Sequence, residues 1–593
     1  MLFKEVGYSL SKLIEDIDGG EIALPEIQRP FVWSRVKVRD LFDSMYGGFP
    51  VGYLLFWGNV GANGARQIGI GTKQAVPRLL IVDGQQRLTS LYAVLKGLPV
   101  VHDDYTASRI KIAFRPRDEH FAVADAAVER DPEFIPDISQ LWAGASSRNR
   151  FVKQFLERLS QSRELSDEEE DRLDDALNRL YDLQGYRFTA LELSSTIDEE
   201  KVAEVFVRIN SKGVALNQAD FILTLMSVWW DKGRKQLEDF CRASRRPSVD
   251  EPTPFNHIVA PDPDQLLRVA VGLGFRRGQL KAVYSLLRGR ALDSGESSPD
   301  QRESQFAVLR DAQAYALDLT SWHEFLQAVE RAGYSSKRLI TSEGGLLFSY
   351  IFYLIGKRDF AVPTARLQRV ISRWFFMVAL TARYSSSAES RLESDLADLR
   401  DLTTADEFVD LLEGTIEDVL TSDFWRITLP NALATSTARS PALYAYYAAL
   451  NVLDARVLLS SLSVREWLDP RRTKDQGIER QRLFPQRELK RLGFDSSKDA
   501  NQIANFALVE WPETEKVAAL PATYWPAYSN AIAPAELDRV CFWHGLPPGW
   551  ETLAYDDFLA QRRQALAAVI KTGYERLLDT SGLVETAPRI AEL

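Results

Sequence analysis

The segment from Arg78 to Leu95 constrains this chain most, because its hydrophobic period changes in a single step. Leu79-Leu80-Ile81-Val82 is a short unbroken apolar run, the pattern of a buried strand. The run stops at Asp83-Gly84, and Leu88, Leu91, Tyr92 and Leu95 then recur at helical spacing. A strand, a glycine turn and a helix follow one another, and Val51–Trp57 and Ile110–Phe114 add two more strand candidates. The first ~125 residues therefore read as mixed α and β.

The turn itself carries chemistry. Gln85, Gln86 and Arg87 stand at or near a helix start, where unpaired backbone N–H groups favour anions. Arg87 adds a fork of donors that suits phosphate. The Gln side chains have the chemistry to orient a water or to bond a base or sugar. Asp83 is placed either to cap the helix or to help hold a metal. A plain strand–turn–helix with Asp83 as its cap explains the same residues, and the pattern alone leaves both readings open. Upstream, Leu24-Pro25-Glu26-Ile27-Gln28-Arg29-Pro30-Phe31-Val32-Trp33 sets a second Gln-Arg pair beside proline and aromatic residues. A loop closed on the core by Trp33 accounts for that segment equally well.

With 593 residues the chain is too long for one core, and two to four domains are expected. Hydrophobic residues make up 45% and charged residues 26%, the balance of a globular protein and not of a disordered one. No stretch approaches the ~18 apolar residues that span a bilayer, and Met1–Val6 does not open a secretory signal. Two cysteines far apart, Cys241 and Cys541, make neither a disulfide framework nor a zinc site. These features predict a cytoplasmic protein with no membrane partner and no metal ligand set of its own. The net charge of −11 does not exclude nucleic acid, because the field that matters is local.

Residues ~130–200 read as a charged helical insertion. Ser166 followed by Glu169 has the form of a capping box, and Leu173, Leu177, Leu180 and Tyr181 share one apolar face. A second amphipathic helix over 198–210 is expected to stop at Asn210-Ser211-Lys212-Gly213. From ~215 to ~430 the pattern is almost all helical, with breaks near Pro247–Pro263 and Asp293–Ser298, and beyond ~440 it is mixed again. The expected division is 1–230, 231–435 and 436–593.

Three blocks, in order, resemble the N-terminal domain of GmrSD-type proteins, a modification-dependent restriction family. They are Pro25…Gln28-Arg29…Trp33, then Asp83-Gly84-Gln85-Gln86-Arg87-Leu88-Thr89, then Phe206…Arg208…Asn210…Gly213. The resemblance implies an α+β chain with a ParB/sulfiredoxin-like N-terminal domain that binds and hydrolyses a nucleoside triphosphate. Mg2+ is a candidate companion of that nucleotide. Carried over, Asp83, Gln85, Gln86 and Arg87 are catalytic candidates, and Gln28, Arg29, Arg208 and Asn210 are nucleotide-binding candidates. Arg383-Tyr384-Ser385-Ser386-Ser387 resembles a family block of the helical connector, and a structural role is expected for it.

The C-terminal region resembles an HNH nuclease module that has lost its chemistry. The frame persists as Glu479-Arg480-Gln481-Arg482-Leu483-Phe484-Pro485, then Asn501-Gln502-Ile503-Ala504-Asn505, then Pro521 and Tyr524. HNH chemistry needs one His to activate water and a second ligand to hold a metal. Gln481 and Arg482 stand where the His pair would be, Arg is no metal ligand, and no His lies between His323 and His544. Asn505 alone matches its counterpart. Residues 469–491 keep eight Lys or Arg against four acids. Arg471, Arg472, Arg480, Arg482, Lys490 and Arg491 are the candidates for a DNA backbone contact, although a solvated mixed-charge surface explains them as well. A smaller cluster, Arg276, Arg277, Lys281, Arg288 and Arg290, reads as a solvated face, and His544 beside Trp543 and Trp550 reads as packed.

These readings together predict an NTP-binding, NTP-hydrolysing antiphage protein that acts on modified or foreign DNA. A non-catalytic sensor of DNA modification that recruits a separate nuclease is an alternative. An endonuclease with non-standard catalytic residues is another. DNA, a partner nuclease or defence protein, and a second copy of the chain are the candidate partners.

Overall fold

The computed structural model describes residues 3–25, 31–58, 65–66, 77–102, 106–142, 147–194, 197, 218–248, 251–289, 298–437, 439–469, 478–494, 496–510, 517 and 519–578. The chain is α+β and divides into two units, Met1–Arg234 and Lys235–Leu593.

The first unit is built on a six-stranded mixed sheet. Its strands are β1 (Phe3–Ser9), β2 (Ile22–Pro25), β3 (Leu54–Gly58), β4 (Ala65–Arg66), β5 (Leu79–Asp83) and, after four short strands β6 to β9 between Pro99 and Val123, β10 (Arg187–Leu193). The order is β1-β10-β3-β5-β2-β4. Strand β5 lies inside the sheet, antiparallel to β3 and parallel to β2. It is buried on both faces, which is why its apolar run does not alternate. Leu79 and Ile81 join Leu54, Phe56, Phe188 and Ala190 in the main core, while Leu55, Val82 and Leu193 form a smaller cluster of their own.

Helices from the first hundred residues pack into that main core. Helix α1 (Leu10–Gly19) starts at Ser9, whose hydroxyl accepts the Lys12 N–H at 3.2 Å, and stops at Gly20 in the left-handed region. Helix α2 (Arg35–Tyr46) contributes Val38, Leu41, Phe42 and Met45, and helix α3 (Gln85–Lys96) contributes Leu88, Leu91, Tyr92 and Leu95.

Two expectations for residues 130–200 change. Helices α4 (Ser147–Ser162) and α5 (Asp167–Tyr181) form as the periodicity predicts, but Phe155, Leu159, Leu173, Leu177 and Leu180 belong to the same core as the sheet. The end of the stretch, Arg187–Leu193, is strand β10, paired with β1 and β3. Its alternation, Phe188 and Ala190 inward, is hidden in sequence by the charged helix before it. Ser166 does cap α5, accepting the Glu169 N–H at 3.3 Å. The Glu169 carboxylate does not close a capping box, because Arg163 takes it, Nη1 lying 2.9 Å away. The second amphipathic helix expected over 198–210 lies outside the described residues.

The second unit is mainly helical. Its most buried helix, Glu343–Arg358, has no exposed face from Gly345 to Gly356 and packs against Thr364–Thr381. Toward the C-terminus the pattern becomes mixed. Strand β11 (Ile478–Arg482) pairs antiparallel with β12 (Phe506–Glu510), and the long helix Tyr555–Glu575 packs on Pro441–Val452. No helix among the described residues is long and apolar enough to cross a membrane.

Candidate functional site

The β5–α3 turn is the candidate site of the first unit. Gly84 is the residue before α3, with φ 95°. A Cβ there would lie 2.4 Å from Leu54 Cδ2, so both the left-handed backbone and the space demand glycine. The cap position offers no side-chain hydrogen bond, so Asp83 does not cap the helix. Its carboxylate turns to Arg87 instead, with Oδ2 3.3 Å from Nη2.

The side chains of the motif tie distant segments to the turn. Arg87 Nη1 donates to the Val51 carbonyl at 2.7 Å. Gly52, at φ 88°, makes room for that contact, since a Cβ there would lie 2.7 Å from Nη1. The Arg87 side chain is 16% exposed. Burial lowers its pKa and the Asp83 carboxylate partly restores it, so the cation is held by a single carboxylate and a carbonyl. Gln86 Oε1 accepts the Val32 N–H at 3.0 Å, and the Phe31 N–H reaches the Val101 carbonyl at 3.2 Å. Trp33 packs against the main core.

Asp83, Gln85, Gln86 and Arg87 are thus brought together with Val32, Val51 and Gly52. Gln28, Arg29, Arg208 and Asn210 lie outside the described residues. Reading the sequence missed Val51 and Gly52, although a glycine inside an apolar run signals a close backbone approach. It also missed Glu192, a buried carboxylate on β10. Burial alone would raise its pKa, but the donors of Lys4, at 2.7 Å, and Tyr8 hold it below the usual carboxylate range.

Among the described residues no group of three His, Cys, Asp or Glu could hold a metal. Asp83, whose side chain is 30% exposed, keeps its carboxylate on Arg87. An open concavity of about 440 Å3 between α4 and α5, lined by Lys153, Glu157, Glu170 and Asp174 among others, shares no residue with the turn.

In the second unit, Asn505 is fully buried and consumed by backbone. Its Oδ1 accepts the Phe484 N–H at 2.9 Å, and its Nδ2 donates to the carbonyls of Phe484 and Ala500, each at 3.0 Å. It clamps the loop that joins β11 to β12. Gln481 and Arg482 lie on β11, where Arg482 Nη2 donates to Asn501 Oδ1 at 2.6 Å. Arg480 stacks on the Phe506 ring, Arg491 pairs with Glu488 at 3.0 Å and Lys490 is exposed. Arg471 and Arg472 lie outside the described residues.

The other blocks are structural. Arg383 forks onto Asp395 at 2.9 and 2.7 Å, and the Tyr384 hydroxyl donates to the same carboxylate at 2.7 Å. Arg276 and Arg277 pair with Asp359 and Glu393, and Arg288 lies over the Tyr284 ring, so part of the middle basic cluster serves packing. Arg290 lies outside the described residues.

His544 is 1% exposed, and its Nε2 bonds the Arg456 carbonyl at 3.0 Å. Burial, with the Arg562 cation second, pushes its pKa down to about 3 from the ordinary 6.5. Between those values the unfolded chain binds a proton that the folded chain refuses. Stability is therefore lost as pH falls below about 6.5, by at most about 1.4 kcal/mol per pH unit. Urea unfolding at pH 6.5 and 5 is expected to show a loss that is about 1–2 kcal/mol smaller in His544→Gln. Equal losses in the two proteins would refute a buried neutral imidazole.

The first unit is therefore an α+β domain organised around a strand–glycine–helix turn whose arginine ties the Val51 carbonyl and Asp83 to the start of α3. Residues 10–227 match the family model of the GmrSD restriction endonuclease, N-terminal domain. The chain is also similar to an uncharacterized protein of Methanocaldococcus jannaschii, 23% identical over 439 residues that cover 66% of this chain and 67% of that protein.

Proposed function

We propose that this chain is a restriction-type antiphage protein whose first unit binds and hydrolyses a nucleoside triphosphate at the Asp83–Arg87 turn. The observation that carries this reading is the turn itself, where one motif joins a helix start to two loops within the segment that matches the restriction-endonuclease domain. The fold of that unit is proposed to be ParB/sulfiredoxin-like. Gln28, Arg29, Arg208 and Asn210 complete the nucleotide site in this reading, and Mg2+ supplies charge neutralisation at the phosphates when bound. Residues 231–435 serve as a helical connector and 436–593 as a degenerate HNH-like domain. Modified or foreign DNA is the target, met by basic residues of the segment 469–491, in the cytoplasm.

The full-length protein, incubated with each NTP and Mg2+, with and without plasmid and phage DNA, tests this directly. Phosphate release with the DNA left intact is the expected result. No binding of any NTP would overturn the nucleotide reading.

A second reading is a DNA-modification sensor that recruits a separate nuclease. It is favoured by Asn505, whose carboxamide is spent on three backbone bonds, beside a strand with no His. DNA binding without hydrolysis or cleavage would select it.

A further inference from the structure

The basic residues of the C-terminal region are not equivalent. Arg487 and Arg491 both lie against the Glu488 carboxylate, at 3.2 and 3.0 Å, so much of their charge is balanced locally. Arg480 and Arg482 are different. They stand two residues apart on β11, opposite Leu508 and Phe506 of β12, and so face the same side of the hairpin. Their guanidinium carbons lie 3.9 and 5.3 Å from the centre of one ring, that of Phe506. Neither pairs with a carboxylate among the described residues. Arg482 bonds only the neutral amide oxygen of Asn501, at 3.2 and 2.6 Å.

Two half-buried cations on one strand face, with no counter-charge between them among the described residues, repel each other and lose hydration. Stacking on Phe506 orients both groups but uses none of a guanidinium's five N–H donors. The forks are held in place, with the donors of Arg480 and the Nη1 of Arg482, which the bond to Asn501 does not use, left for a ligand. Two residues along a strand advance about 7 Å, which suits successive charges of a polyanion better than one small acid. One face of the Arg480 plane is covered by the ring, which leaves its edge for hydrogen bonds to a ligand and removes that face as a platform for stacking a base.

We infer that Arg480 and Arg482, braced on Phe506, clasp the phosphodiester backbone of nucleic acid without regard to sequence. This rests on the reading that the chain binds DNA, and it selects the residues that do so. Arg487 and Arg491 are left as surface.

The test is binding of the full-length protein to a fluorescent unmodified DNA duplex, followed by anisotropy over a range of salt. Loss of two phosphate contacts is expected to make the slope of log K against log salt shallower by about 1.8. Arg480→Gln with Arg482→Gln should show that change and weaken binding about tenfold or more at low salt. Arg487→Gln with Arg491→Gln should move neither the affinity beyond about twofold nor the slope. Arg480→Lys with Arg482→Lys should keep the slope but weaken binding severalfold, because the planar fork is lost.

Far-UV circular dichroism checks the fold. If the double Gln variant does not fold, Arg480→Gln alone carries the test, with an expected slope change of about 0.9. An unchanged slope in the Gln variants, or an equal change in the Arg487 and Arg491 control, would overturn the clasp. So would displacement of the duplex by millimolar ATP in the wild type but not in the variant, which would make this a mononucleotide site. A wild-type protein that binds no duplex at low salt would overturn both the clasp and the DNA reading. Duplex binding that ignores Arg480 and Arg482 would overturn the clasp alone.

Discussion

Arg562→Ala is expected to lower the unfolding free energy by about 4–6 kcal/mol, enough to unfold the C-terminal part of the second unit near body temperature. Arg562 is fully buried on the helix Tyr555–Glu575. Its guanidinium donates to the carbonyls of His544 at 3.0 Å, Ala504 at 2.6 Å and Phe506 at 2.9 Å. Burial lowers its pKa to about 10, which still leaves it charged at pH 7. Removing the side chain would strand three carbonyls, each costing about 1–3 kcal/mol when buried unpaired, and open a cavity. Urea unfolding is the measurement. Arg562→Met separates the causes, since Met fills the space but bonds nothing. A Met variant as stable as the wild type would show that packing, and not the carbonyls, sets the effect.

Arg87→Ala is expected to reduce nucleotide-dependent phosphate release by a factor of about 100 or more, the usual cost of deleting a fixed donor from a charge-stabilising site. Arg87→Lys should not restore it, because an ammonium cannot hold the Val51 carbonyl and Asp83 while presenting a planar edge. Gly52→Ala should cause a comparable loss with Arg87 still present, since the added Cβ would stand 2.7 Å from Nη1 and push it off the Val51 carbonyl. The pair separates position from charge. If Arg87→Ala lost activity and Gly52→Ala kept it, Arg87 would act without its anchor at Val51. Full turnover in Arg87→Ala would place the reaction away from this turn.

These two arginines also show where reading the chain ends. Arg87 was legible as a candidate because a strand, a glycine and a helix follow one another in a few residues, and each is a local pattern. Its partner Val51 was not, since the contact spans 36 residues and depends on how β3 meets β5. Arg562 had no local sign at all, and its acceptors lie 18, 58 and 56 residues away. The basic segment 469–491 was visible as composition. Only the register of β11 with β12 separates Arg480 and Arg482, which share Phe506, from Arg487 and Arg491, which share Glu488.

The sequence by itself determined the α+β class, the strand–turn–helix at Asp83–Arg87, the helical middle and the cap at Ser166. Each follows from hydrophobic period, glycine or a capping side chain acting within a few residues. Tertiary structure alone decided that Arg187–Leu193 enters the central sheet, that α4 and α5 share its core, and that Asn505 clamps a loop. Those outcomes depend on apolar surfaces and unpaired polar groups finding partners far along the chain, and no window of local pattern contains both halves of such a contact.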